Sequence, residues 1–519
     1  MFCSAANVYI TPDGSPQGAC TNNPQSPSWF NKAANWGSGA TQIGAGTTVH
    51  LCGTFTGGNN APAVLTAQGN GSSGNPVTIL FESGTTFTAS YWSPATGAIV
   101  LDNRSYILLD GGTPCGYIPG TGSEGTCNGT IINTANGDNL ANQTTSMGIH
   151  ATGCNYCEVR NLGIYNIYVH AQNGSFSQQA STYCINFNGA NWLVHDNAFH
   201  DSGFCVYDNY TNDGTSTIYN NDIYNSDHDI VIAGAAYTLQ NALIYGNHLH
   251  DWANWDCPND GCHHDGIHGY NGSGGGTTNI YIYNNVFDGN LGSTMNAEIF
   301  LEGTQGGTPW TQNGTMYVFN NVLSTSGAHS AAQLWLGSGN LIANNTVVCS
   351  GNTGDIAWQN KTATGNLFKN NAEDNCGYFE QWSENYTVAN ASTDVVHNVY
   401  GRCNGYNCWN WDQTGTGGPN IDTPSFQTWQ TGKQCDCDSP GNYASTGLNL
   451  SSSYVPQSGS PVIGAAISLA NSCSGNLAPL CSDITGSPRP SSGAWDAGAY
   501  SFSSGQGPQA PTGLVATVQ

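Results

Sequence analysis

Charge is what this sequence has least of. Charged residues make up 8 % of it, against roughly 25 % in an ordinary soluble domain. Only eight of its 519 residues are Lys or Arg, and 33 acids bring the formal net charge to −25. Cations too few to meet phosphates exclude a nucleic-acid-binding role, and the same shortage argues against an anionic lipid surface. A polyanionic glycan would be repelled unless a metal bridged it, so neutral or cationic partners are expected. Long apolar runs are also missing. None approaches the roughly 20 residues that span a bilayer, so no membrane segment is expected. The opening Met1-Phe2-Cys3-Ser4 has neither the basic nor the apolar region of an export signal. The expectation is that such a signal preceded this chain and was removed.

What is present is glycine, cysteine and short apolar runs. There are 68 Gly, and Asn, Ser and Thr are abundant. Apolar residues at 38 % and aromatics at 11 % are enough to bury a large core, which excludes a disordered chain. Many tight turns between short strands fit this composition. Nineteen cysteines, several of them near neighbours (Cys115 and Cys127, Cys257 and Cys262, Cys403 and Cys408, Cys473 and Cys481), point to disulfides in an oxidising compartment, hence a secreted protein. Cys154 and Cys157 have metal-type spacing, but no second such pair follows at a finger-like distance, so zinc is the weaker reading.

One pattern recurs: an apolar pair, one or two polar residues, an Asn, then more apolar residues. It is seen in Val159-Arg160-Asn161-Leu162, Val194-His195-Asp196-Asn197, Ile218-Tyr219-Asn220-Asn221, Ile282-Tyr283-Asn284-Asn285 and Val318-Phe319-Asn320-Asn321. The unit is about 25 residues, some units carrying about a dozen more, a period that marks a solenoid or propeller. A second strand precedes each Asn turn, as in Cys184-Ile185-Asn186-Phe187, Asp229-Ile230-Val231-Ile232 and Glu298-Ile299-Phe300-Leu301. Its alternation predicts inward apolar and outward variable side chains. Two or three short strands and one variable loop per unit suit a β-helix coil better than a propeller blade. An Asn at the same turn of each coil can adopt a left-handed backbone and hydrogen-bond to the Asn above and below. Solenoid ends must be closed, and Trp29, Phe30, Ala33 and Ala34 are spaced for a short cap helix.

These coils resemble the right-handed parallel β-helix superfamily, the architecture of pectate-lyase-like proteins. Val8-Tyr9-Ile10-Thr11-Pro12-Asp13-Gly14 is similar to the first strand of bacterial members. Ser460-Pro461-Val462-Ile463-Gly464-Ala465, Asp483-Ile484-Thr485-Gly486, Pro488-Arg489-Pro490 and Trp495-Asp496-Ala497-Gly498-Ala499-Tyr500 are similar to their closing stretch. The resemblance implies an all-β fold over 1–502, with an N-terminal strand and cap in 1–50, coils in 51–400, and last coils and closing segment in 401–502. It is specific for fold rather than reaction, because the architecture carries hydrolases, lyases, epimerases and adhesins, and no catalytic signature of the family is intact here. Residues 503–519 read as a flexible linker and a first strand resembling a fibronectin type III module, so the natural chain is expected to continue.

Acids and histidines concentrate between residues 227 and 302: Asp227-His228-Asp229, His248, His250, Asp251, Asp256, Asp260, His263-His264-Asp265-Gly266-Ile267-His268, Glu298 and Glu302. If Ile230, Ile267 and Ile299 are equivalent inward positions, Asp229, Gly266 and Glu298 form one outward column. Asp229 and Glu298 would then stand two coils, roughly 9–10 Å, apart. Inverting glycosidases keep their carboxyls about 6.5–9.5 Å apart. The expectation is Glu298 as general acid and Asp229 or Asp265 as the base that activates water, with His264, His268 and Glu302 placing substrate. Tyr207, Phe300 and Trp335 are predicted outward on the same face, with Trp252, Trp255 and Trp310 on neighbouring loops, where sugar rings could stack. A metal is an open alternative: His263, His264, His268 and Asp265 could ligate a transition metal, and Asp256, Asn259 and Asp260 resemble part of a calcium loop. No other cofactor is called for.

The leading expectation is an extracellular, monomeric glycoside hydrolase acting on a neutral or weakly charged polysaccharide. A calcium-assisted lyase or epimerase on uronate polymers is the alternative; it lacks a Lys or Arg in the acidic cluster, although His can act as the base. A non-catalytic glycan-binding or adhesion protein is the third, and its surface features would be spread more evenly.

Overall fold

Aliphatic residues at matching positions of successive coils build the core. A computed structural model describes residues 7–118, 123–135, 145–169, 182–209, 214–234, 241–252, 264–271, 279–292, 295–301, 314–326, 330–335, 338–350, 356–359, 365–383, 395–405, 408–412, 421–431, 438 and 440–503. The fold is a right-handed parallel β-helix. Its residues group into two compact units. The first comprises Met1–Tyr117, Ser123–Ala242 and Asp251–His264; the second comprises Ile118–Gly122, Leu243–His250 and Asp265–Gln519.

In the first unit one parallel sheet runs through Asn7–Ile10, Thr48–Leu51, Val77–Phe81, Ile107–Asp110, Glu158–Arg160, Trp192–His195 and Thr215–Tyr219. Val49, Ile79, Leu109, Val159, Val194 and Ile218 pair in register along it, and all are buried. In the second unit Asn279–Tyr283, Met316–Phe319, Leu341–Ala343, Leu367–Lys369 and Val395–Val396 form the equivalent sheet. Ile282, Val318, Ile342, Phe368 and Val395 are its buried column. Each such side chain removed from water stabilises by about 1.5–3 kcal/mol.

The recurring Asn proves to be two positions with separate tasks. The first takes the left-handed backbone: Asn161, Asp196 and Asn220 in the first unit, and Asn284, Asn320, Asn344 and Asn370 in the second, with φ from 54° to 61°. Gly246 fills that position in one coil of the second unit at φ 64°. The residue after it makes the buried ladder. In the first unit Asn197 Nδ2 donates to Asn221 Oδ1 at 2.9 Å. In the second, Asn247 donates to Asn285, and the series continues through Asn321, Asn345, Asn371 and Asn398 at 2.9–3.1 Å. Asn398 finally donates to Asp438 at 2.8 Å. Asp438 also accepts the Tyr400 hydroxyl at 2.7 Å and the Trp429 indole N–H at 3.2 Å. Burial raises Asp438 to about 6 against these donors.

The cap differs from the expected single helix. A turn at Pro27–Phe30 and a 3-10 turn at Ala33–Asn35 are separated by Lys32 in an extended conformation. The anchors are Phe30 and Trp36, both buried, with the Trp36 indole donating to the Phe30 carbonyl at 2.7 Å. At the other end, Arg489 is buried and donates to the Gly498 carbonyl and Asn320 Oδ1 at 2.9 and 3.1 Å, which pins the closing segment to the coils.

Six disulfides form among the described residues: Cys20–Cys52, Cys115–Cys127, Cys154–Cys157, Cys349–Cys376, Cys403–Cys408 and Cys473–Cys481. The Cys154–Cys157 pair is thus a staple and not a zinc half-site. Cys257 and Cys262 lie outside the described residues.

Candidate functional site

In the first unit the strand Asp222–Gly234 carries Asp227, His228 and Asp229. Asn225, at φ 54°, bends it between two faces of the coil. All three side chains are buried. Asp227 Oδ2 lies 2.9 Å from His228 Nδ1, and Oδ1 lies 3.1 Å from His264 Nε2. Burial alone would raise Asp227, but the two imidazoles hold it below the usual carboxylate range. Asp229 goes the other way. Burial pushes it well up, the Trp252 indole opposing in part and Asp222, Cys184 and Asp227 adding to the rise. Neither Asp229 oxygen has a hydrogen bond of good geometry.

The column expected to face outward with Asp229 and Glu298 is buried instead, although the strands keep a constant register through it. Pairing runs from Tyr183↔Phe204 to Ile185↔Val206 and from Phe204↔His228 to Val206↔Ile230, passing over Cys184, Cys205 and Asp229. In the second unit it passes over Glu298, between Ala297↔Ser330 and Ile299↔Ala332. The skipped residue and its aliphatic neighbour are both buried, while Tyr183 and Asn186 keep partial exposure. Gly148 occupies this position one coil before Cys184. A Cβ there would stand 2.5 Å from the Cys184 carbonyl oxygen and 3.1 Å from Cγ2 of the buried Ile164, so this column is closely packed. Asp229 and Glu298 therefore do not lie on an open outer face.

Among the described residues Glu298 has no hydrogen bond to either oxygen. Burial, with Asp288 nearby, drives it well above the ordinary glutamate value. Asp265, on the neighbouring strand His264–Asn271, is bound differently. Its Oδ1 accepts the Ala297 N–H at 3.4 Å, and its Oδ2 lies 3.5 Å from His268 Nδ1. Gly266 is required beside it: a Cβ would fall 2.5 Å from the Glu298 carbonyl oxygen. His268 packs against Tyr270 and Phe300, with ring centroids 5.3 and 5.2 Å apart.

The aromatics expected to face sugar are mostly packed. Tyr207 stacks on Tyr183 at 4.8 Å, and Tyr207, Trp252 and Phe300 keep less than a tenth of their surface. Trp335 ends the strand Ser330–Trp335, and its side chain lies outside the description. Trp255, Asp256, Asp260, His263, Glu302 and Trp310 also lie outside the described residues.

Sequence reasoning gave no role to four groups that the structure singles out. Asp227 was visible in the acidic cluster. Asp208 was not: it pairs in register with Phe187 and Ile232, and burial raises it to about 7, the Ser216 hydroxyl opposing. Cys184 and Cys205 are buried and unbridged, and burial with the neighbouring Cys184 raises Cys205 well above an ordinary thiol.

No protein-family model matches the sequence, and no curated protein does. Several solved structures are similar to the chain. XylC in complex with xylose is 11 % identical, over 96 % of this chain and 98 % of that chain, with a TM-score of 0.44. The PL6 family polysaccharide lyase Pedsa3628 from Pseudopedobacter saltans is 12 % identical, over 85 % and 92 %, with a TM-score of 0.40. Pectate lyase Pel9A is 16 % identical, over 96 % and 97 %, with a TM-score of 0.38.

Proposed function

We propose that this chain is an extracellular carbohydrate-active enzyme that hydrolyses glycosidic bonds of a neutral or weakly charged polysaccharide. The observation that carries the reading lies within the second unit. Glu298 and Asp265 stand on neighbouring strands, both buried, and differ in their polar partners. Burial pushes Glu298 toward its neutral form, with no hydrogen bond among the described residues, the direction a general acid needs. Asp265 accepts a backbone N–H and pairs with His268, the arrangement of a proton acceptor. In this scheme Glu298 protonates the leaving oxygen, Asp265 takes a proton from water, and His268 orients Asp265. Asp229, the other expected base, is pushed toward its neutral form by burial, which suits proton donation rather than acceptance. The scarcity of cations favours an uncharged glycan.

A second reading has its own observation. The His268 imidazole, with Nδ1 3.5 Å from Asp265 Oδ2, could abstract a proton α to a uronate carboxyl, without Lys or Arg. Digestion of a glycan panel with and without a chelator separates the two. New reducing ends without ultraviolet absorbance of an unsaturated uronate mean hydrolysis; absorbance means elimination. Glu298→Gln is expected to lower hydrolysis at least a hundredfold. Full activity with raised stability would make Glu298 only a buried core acid and sink its role as proton donor.

A further inference from the structure

The first coil carries a cleft that the acidic cluster does not explain. Its volume is about 640 Å³, and its lining includes Tyr9, Asn22, Asn23, Gln25, Trp29 and Asn35. That size falls in the range of small-ligand sites, roughly 300–1,000 Å³. None of its lining residues is charged, in a chain with a net charge of −25. Along the sheet of the first unit, six strand steps separate Asn7–Ile10 from Thr215–Tyr219, the strand just before Asp227 and Asp229. At about 4.8 Å per step that is roughly 29 Å.

The walls are held in place. The Cys20–Cys52 disulfide ties the loop that bears Asn22 and Asn23 to the first coil. Gln25 is fixed to the first strand by its N–H to the Tyr9 carbonyl at 2.7 Å and by the Thr11 N–H to its carbonyl at 3.0 Å. Tyr9 stacks on His50 with centroids 4.9 Å apart. Asn35 Nδ2 donates to the Trp29 carbonyl at 2.7 Å. Gln42 closes the far loop, with Nε2 on the Ala34 carbonyl and Oε1 on the Gly39 N–H, both at 2.9 Å. A site built in advance loses little freedom on binding.

Two aromatic rings and several side-chain amides, with no charge, make a surface for a polyhydroxylated ring. The apolar C–H face of a sugar covers an aromatic ring, while its hydroxyls both donate to and accept from amides. A uronate or phosphorylated ligand would find no cation there. We propose that this cleft is a separate binding subsite for a neutral oligosaccharide segment, which anchors a polymer on the first coil independently of any bond cleavage elsewhere.

Native-gel affinity electrophoresis tests this, with arabinoxylan, mixed-linkage β-glucan, galactomannan, polygalacturonate or alginate cast in the gel. At least one of the three neutral polymers is expected to retard the wild type. Trp29→Ala should weaken that retardation at least tenfold, and Trp29→Phe should recover most of it. Should Trp29→Ala fail to fold, Asn22→Ala and Gln25→Ala carry the same test, each expected to weaken retardation several-fold. Asp265→Asn should be retarded like the wild type, so loss of cleavage and loss of anchoring are read separately. Equal retardation of wild type and folded cleft variants overturns the proposal, as does retardation by acidic polymers alone or by none of the five.

Discussion

Asp227 and Asp229 stand two residues apart on one strand, both fully buried, and their protonation is driven in opposite directions. Two imidazoles favour the anion of Asp227, while burial favours the neutral form of Asp229. Asn substitutions should separate them. Asp227→Asn leaves His228 and His264 without their shared carboxylate and should cost about 3–5 kcal/mol at pH 7. Asp229→Asn replaces a neutral group by a neutral one and should change stability by less than about 1 kcal/mol. Because Asp227 is depressed in the fold, its contribution is complete above the ordinary aspartate range and fades as pH falls through its lowered value. Denaturant unfolding of both variants checks this; equal losses would refute the assignment.

Asp208 gives the opposite pH signature. Its folded value is about 7, against 3.8 for an ordinary aspartate. Its protonated form is thus favoured by the fold, and stability is lost as pH rises from about 4 to about 7, by at most ~4 kcal/mol. Asp208→Asn should remove that loss. The variant should be more stable than the wild type at pH 8, with the margin narrowing toward pH 4. A margin that stays constant across unfolding curves at pH 4, 6 and 8 would contradict the placement of Asp208 among Phe187 and Ile232.

Cys184 and Cys205 should be chemically silent in the native protein. Both are fully buried, and the Cys205 thiol is pushed well up by burial, so little thiolate is available to react. Alkylation at pH 8 followed by peptide mapping should leave both unmodified, and the same reaction in guanidinium should label both. Native labelling of either would show that the column opens.

Asn321 should be among the most costly polar residues to remove. It donates to the Ile282 carbonyl and to Asn345, and accepts from the Asn285 N–H and side chain, at 2.9–3.1 Å. Asn321→Ala leaves buried partners unsatisfied and should cost about 3–4 kcal/mol. Asn284→Gly keeps the left-handed backbone and removes a side-chain oxygen that has no hydrogen-bond partner among the described residues, so a loss of less than about 1 kcal/mol is expected. Calorimetry of the pair would expose an error if their order were reversed.

The coils were legible in the sequence because each repeats one aliphatic pair beside one Asn turn. Which Asn does what was not legible. Counting spacings groups Asn161 and Asn370 with Asn197 and Asn321, yet the former take the turn and the latter the ladder. Spacing alone cannot distinguish two adjacent polar residues. The acidic cluster was legible as a concentration of chemistry, but the expected outward placement of Asp229 and Glu298 does not hold, because Asp229 and Ile230, like Glu298 and Ile299, are consecutive residues that are both buried where strict alternation would expose one. The orientation of Tyr207 and Phe300 failed to open a sugar platform for a related reason. An aromatic on an outer column packs as readily on the ring of the next coil as on a ligand.

The Asn ladder of the second unit has a sense. Every amide nitrogen from Asn247 to Asn398 points to the oxygen of the following coil, so each member is both recipient and giver. An ionised Asp438 can only receive. Placed after Asn398, it is a stop signal in the grammar of the repeat: a further coil would find no proton offered to it. The side chain that closes the series also draws in Tyr400 and Trp429, so one substitution of amide by carboxylate both ends the count of coils and gathers the residues that seal it.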